Sequence, residues 1–118
     1  MSTMALVQGP SGVFAAWETD GQIYFSRSEA GSIPFAEPQA APGNGRERKH
    51  PTLAVNDRGE LLLAWTEGTG WEKGGTLAWQ VYDQNGKPTA VKGRVEGGIP
   101  VWGLPTAVAT GKGFTIIH

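Results

Sequence analysis

Apolar residues along this chain fall in short runs bounded by Gly, Pro, Asn and Asp. The runs are "ALVQ", "VFAAW", "QIYFSRS", "TLAVN", "LLLAW", "TLAWQVYD", "AVKGRVE", "TAVAT" and "FTIIH", with a weaker one near "AEPQAA". None has the length or the 3.6-residue apolar period of an amphipathic helix, so the pattern predicts an all-β chain of about ten strands.

Three segments repeat one arrangement of apolar strand, Gly turn, apolar strand and aromatic end: "LVQGPSGVFAAWE", "LAVNDRGELLLAWTE" and "AVATGKGFTIIH". Anchored on Gly12, Gly59 and Gly113, their spacings are 47 and 54 residues, close to the roughly 40 to 50 residues of one propeller blade. After the first two segments come a further strand, a turn and a more polar strand. The expectation is therefore two four-stranded antiparallel meanders and the strand pair of a third, over residues 5–51, 52–105 and 106–118 of a single domain. The runs "VFAAW" and "LLLAW" are continuously apolar, as strands covered on both faces are. That favours stacked blades of a β-propeller, here an incomplete ring, over a β-sandwich, whose half-exposed sheets alternate apolar with polar.

At "KHPTLAVNDRGELLLAWTE" and "YFSRSEAGSIPF" the chain resembles the sialidase-like β-propellers with BNR or Asp-box repeats, in a degenerate bacterial version. Ser28 and Phe35 occupy the serine and terminal aromatic positions of such a box, whereas Ala30 and Pro34 replace its aspartate and threonine. The resemblance covers most of residues 5–118. In that family the box is a structural turn away from the active site, and ligands bind at the opposite face of the ring. By resemblance, the parent protein would be extracytoplasmic; the chain itself leaves the compartment open.

Strand direction alternates along a meander, so loops sort to two ends. The end that the resemblance makes the binding face would hold Glu18, Thr19 and Asp20, the crossover "GNGRERKHP", the crossover "GGIPVWGLP", and the insertion "GTGWEKGG". From Trp17 to Ile23 is six residues and from Trp65 to Leu77 is twelve, so the insertion adds six residues and explains most of the difference between the repeat spacings. Candidate ligand-binding residues are Trp71 and Trp102, whose indoles can stack on a sugar ring, with Arg46, Arg48 and His50 of the basic crossover and Glu72 and Lys73 of the insertion. Guanidinium forks grip carboxylates in bidentate fashion. The alternative for Arg48 or His50 is structural, holding the neighbouring loop and orienting the crossover. Trp17, Trp65 and Trp79 read as core.

Composition and charge narrow the functions. Eighteen Gly and five Trp in 118 residues suit tight turns between buried strands. A net charge of −1 with no basic run gives no basis for nucleic-acid or anionic-membrane binding. No apolar run approaches a transmembrane helix, "MSTMALVQGP" lacks a signal-peptide pattern, and no Cys is available for disulfides, thiolate metal sites or catalysis. "DQNGK" resembles the start of a calcium loop but sits where a hairpin turn is required, so neither metal nor cofactor is predicted. Sialidase-like hydrolases use a Tyr nucleophile with carboxylate partners, and no residues around Tyr24 or Tyr82 reproduce that setting. The expectation is a non-catalytic scaffold and binding module for a glycan or protein, self-associating or completing a larger propeller. A fragment of a sialidase-like glycoside hydrolase is the alternative.

Overall fold

The computed structural model describes residues 4–9, 12–29, 37–43, 47–68, 74–100, 103–111 and 113–118. β1 (Met4–Gly9), β2 (Gly12–Thr19), β3 (Gln22–Glu29) and β4 (Gln39–Ala40) form one antiparallel sheet in that order. β5 (Arg48–Val55), β6 (Leu61–Glu67), β7 (Gly75–Tyr82) and β8 (Pro88–Ile99) form a second, and β9 (Thr106–Thr110) pairs with β10 (Gly113–Ile117). The described residues contain no helix. The chain is thus all-β with two four-stranded antiparallel meanders, and its sheets do not close into a ring.

Local chemistry fixes the turns. Asp20 and Gly21, at φ 51° and 77°, make the two-residue connection between β2 and β3, where both central positions need positive φ and Asp-Gly supplies it cheaply. The β5–β6 and β7–β8 turns are built alike. Asn56 Oδ1 accepts from the backbone of Arg58 and Glu60, and Asp83 Oδ1 accepts from Asn85 and Lys87. Gly59 (φ 79°) and Gly86 (φ 83°) then take the left-handed position that returns each chain to its strand. "DQNGK" is accordingly a hairpin turn whose aspartate oxygen caps its own backbone. Both turns lie at one end of the molecule with the β9–β10 turn, since the Asp57 amide donates to Gly111 O and Arg27 Nη1 donates to Gln84 O.

The layers stack through a repeated relationship. β5 crosses β1, β2 and β3, and β9 crosses β5 and β6 in turn. Between the two sheets lies the main core, where Ala16, Ile23 and Phe25 of the first meet Leu61, Leu63 and Trp65 of the second. Phe25 and Tyr82 pack with ring centroids 4.5 Å apart. On the second sheet's other face a smaller cluster, Ala64, Leu77 and Ile99 with Trp79 and Ile116, lies under the β9–β10 hairpin. β6 therefore has cover on both sides, and all seven of its residues are buried, as its unbroken apolar run predicts.

Of the three tryptophans expected in the core, Trp65 alone is fully buried, and Trp79 is half-buried against the smaller cluster. Trp65 is core, 3% exposed and facing the first sheet. Trp17, which ends β2 at the matching place, instead projects from the first sheet's outer face, half-buried and stacked on Tyr24 at 6.4 Å. The reason is positional: Trp65 packs against the first sheet, and no described sheet covers the matching face at Trp17.

Candidate functional site

The segment entering β5 is where the sequence concentrates cationic residues, and its backbone is irregular. Glu47 and His50 both take φ of 53°, and the β5–β6 register shifts between Lys49 and Thr52. Such a bulge re-aims side chains by one position, and here it sets Arg48 directly across from Glu67.

Arg48 is 1% exposed, and protein groups surround its guanidinium. Nε donates to Glu67 Oε2 at 2.9 Å, Nη1 to Gln22 Oε1 at 2.9 Å and Ala41 O at 3.0 Å, and Nη2 to Pro42 O at 2.6 Å. The guanidinium carbon also lies 5.1 Å from the centroid of the Trp65 ring, in the range of cation–π attraction. The Arg48 amide donates to Gly21 O. One side chain thus ties the crossover (Ala41, Pro42), the β2–β3 turn and the end of β6 together.

Glu67 is the anionic centre of this network. Oε2 accepts from both Arg48 and the Trp65 indole N–H (2.8 Å), and Oε1 accepts from Arg94 Nη1 at 2.7 Å. Burial alone would raise its pKa. The hydrogen bonds from Trp65 and Arg94 and the charges of Arg48 and Arg94 outweigh burial and hold it below the ordinary carboxylate value. Burial pushes the nearby Tyr82 phenol well above its ordinary value, against the opposing charge of Arg48. Among the described residues no buried side-chain nitrogen or oxygen lacks a hydrogen-bond partner.

Beside this network opens a cleft of about 390 Å³, walled by Pro42, Gly43, Trp65, Ala78, Lys92 and Arg94. Lys92 and Arg94 are exposed and two residues apart on β8, so both project from the same face of the strand. Two exposed cations at the mouth of a cleft suit an anionic ligand.

Of the sequence-predicted candidates, Arg48 and His50 are described. Arg48 lines the cleft from within the protein, four of its five N–H donors already engaged. His50 is half-buried on the bulge. Burial first, and the neighbouring Lys49 charge second, lower its pKa below 6.5 against the raising effect of Glu18. Arg46, Trp71, Glu72, Lys73 and Trp102 lie outside the described residues. Gln22, Glu67, Lys92 and Arg94 were missed by sequence reasoning. Glu67 carries a usable signal, a carboxylate two residues beyond a continuous apolar run in a strand buried throughout, which demands a buried cation opposite. Among the described residues no three of His, Asp and Glu converge as metal ligands. Searches against protein-family models, curated proteins and solved structures find no match to this chain.

Proposed function

We propose that this chain is a non-catalytic module of β-propeller type, a stack of meanders that acts as scaffold, completes a larger ring by self-association or within a longer chain, and binds an anionic ligand in the crossover cleft. The observation that carries the reading is the internal pairing of the Arg48–Glu67 cluster. A site that grips or transforms a substrate keeps donors or a nucleophile free for it. Here the most buried cation donates to four protein oxygens, and the carboxylate beside it accepts from Arg48, Trp65 and Arg94. That cluster organises the crossover. Binding then falls to the exposed Lys92 and Arg94 at its rim.

The test is a calorimetric titration with an acidic oligosaccharide and its neutral counterpart. Binding of the acidic form alone is expected, weakening with added salt as exposed charge contacts do. Lys92→Ala should weaken it about fivefold, the equivalent of about 1 kcal/mol for an exposed charge contact, with unfolding temperature unchanged. Equal affinity for the neutral sugar, or none for either, overturns the cleft assignment. Hydrolysis of a sialoside by the purified chain would overturn the non-catalytic reading.

A further inference from the structure

The two ends of the sheet stack carry the two halves of one interface. Within the molecule, the second sheet meets the first through Leu61, Leu63 and Trp65, and the first sheet receives it on Ala5, Val7, Phe14 and Ala16. With the β-strand tryptophans aligned, Val13, Ala15 and Trp17 on the first sheet's outer face are the repeat equivalents of Leu61, Leu63 and Trp65. Leu62 and Ala64 on the second sheet's outer face are likewise the equivalents of Phe14 and Ala16.

The first sheet's outer face is exposed along its β1 side, whereas Ala15, Ser26 and Ser28 at its centre are buried. On the first sheet, Met4 and Leu6 of the edge strand β1 are 66% and 64% exposed beside half-buried Trp17. On the second, the hairpin covers β5 and β6 and leaves a groove of about 570 Å³ over β7 and β8, floored by Leu77, Trp79 and Val81 and bordered by Val91, Val95 and β10. Among the described residues β10 pairs with β9 alone, and its other edge runs along the groove. Among the described residues, the β1 side of the donor face and the β7–β8 side of the acceptor face are therefore the parts left open. With a net charge of −1, long-range repulsion between copies is slight.

We propose that the groove's partner is a second copy of this chain: the β1 side of the first sheet's outer face, Met4 and Leu6 with Trp17 beside them, seats on Trp79, Val91 and Val95 of the next copy, with β1 alongside the outer edge of β10. The contact is heterologous, so each copy keeps one donor and one acceptor face, and association continues head to tail until a ring closes. This rests on the self-association reading above and names the surfaces that reading requires.

The experiment is sedimentation velocity on the full chain and two surface variants, Leu6→Lys and Val95→Lys, whose sites are exposed enough to leave the monomer folded by circular dichroism. The wild type is expected to form oligomers larger than a dimer, and each variant alone to be monomeric. An equimolar mixture of the two variants is expected to give heterodimers only, because one retains an intact groove and the other an intact β1 face. A monomeric wild type at tens of micromolar sinks both this inference and the self-association reading. Oligomers that survive both substitutions sink this inference alone, as does a mixture that stays monomeric.

Discussion

The second sheet packs through both faces, and its two interfaces differ in completeness. Towards the first sheet it buries Leu53, Leu61, Leu63, Trp65 and Tyr82 in one continuous cluster, closed at one end by the Arg48–Glu67 network. Towards the β9–β10 hairpin it buries a cluster of three residues, with Trp79 and Ile116 only partly buried against it. Crossing geometry is shared, since β9 sits on β5 and β6 much as β5 sits on β1 and β2. What differs is the number of strands supplied. Stability in stacked repeats is a sum of unit terms and neighbour interfaces, so the first interface should dominate folding and the second should be open to local release and to a partner.

The most disruptive way to test that contrast is to break the network that only the filled interface has. Removing one member of a buried ion pair leaves the other charge uncompensated, at a cost of about 3–5 kcal/mol. Glu67→Ala should therefore bring unfolding to much lower denaturant, because Arg48 would keep its burial and lose its counter-charge. The same carboxylate gives a pH signature. Its folded pKa lies below the unfolded value, so its stabilisation is complete above about pH 4.5 and is lost as pH falls through the folded value. Denaturant midpoints followed from pH 6 down to pH 3 should fall more steeply in the wild type than in Glu67→Gln. Parallel curves would mean that the pair contributes little.

Core truncations compare the two interfaces directly. Leu63 is fully buried between the sheets, and Leu63→Ala should cost about 3 kcal/mol in transfer and cavity terms. Ile116 is half-buried at the border of the open groove. Ile116→Ala should cost about 1 kcal/mol, in keeping with the smaller apolar area removed from water. Equal losses from chemical denaturation would show that the hairpin is as integral as the first sheet. Between these lies Gly93, where an added Cβ would approach the Trp79 ring to 2.5 Å. Gly93→Ala must displace that indole, costing about 1–2 kcal/mol by overpacking, and the Trp fluorescence should shift with it.

How much of this was legible in the sequence depended on whether one period or several contacts were needed. The strands, their meander order and the paired turns at Asn56–Gly59 and Asp83–Gly86 follow from apolar runs and turn chemistry, which act over a few residues. The double coverage of β6 was legible in "LLLAW". The outward placement of Trp17 was not, because β2 has the same local pattern as β6 and they differ in which described sheet packs against the tryptophan's face, a tertiary contact that no local pattern carries. The Arg48–Glu67 pair was hidden by the bulge at Lys49–Thr52. Counting back along the hairpin from Val55 and Leu61 without the bulge misaligns Arg48 by one residue, turning it towards the wrong face. Gln22 and Arg94 join the same site from β3 and β8, brought there by sheet stacking and not by any spacing in the chain.

The smallest expected effect comes from His50, which makes it a probe of the filled interface more than a support of it. The side chain is half-buried on the bulge, where burial and the Lys49 charge lower its pKa and the charge of Glu18 raises it. Glu18 lies at the end of β2, in the first sheet, while His50 lies in β5 of the second. The histidine thus reports electrostatically on how closely the sheets meet. Its NMR titration midpoint should lie below 6.5. Because the folded value is the lower one, its small contribution to stability is present above 6.5 and is lost as pH falls through the folded midpoint. Lys49→Ala should move the midpoint up and Glu18→Gln should move it down, opposite shifts from neighbours in different sheets. A midpoint indifferent to Glu18 would mean that the β2–β3 end stands away from the bulge, and that Arg48 alone holds the crossover closed.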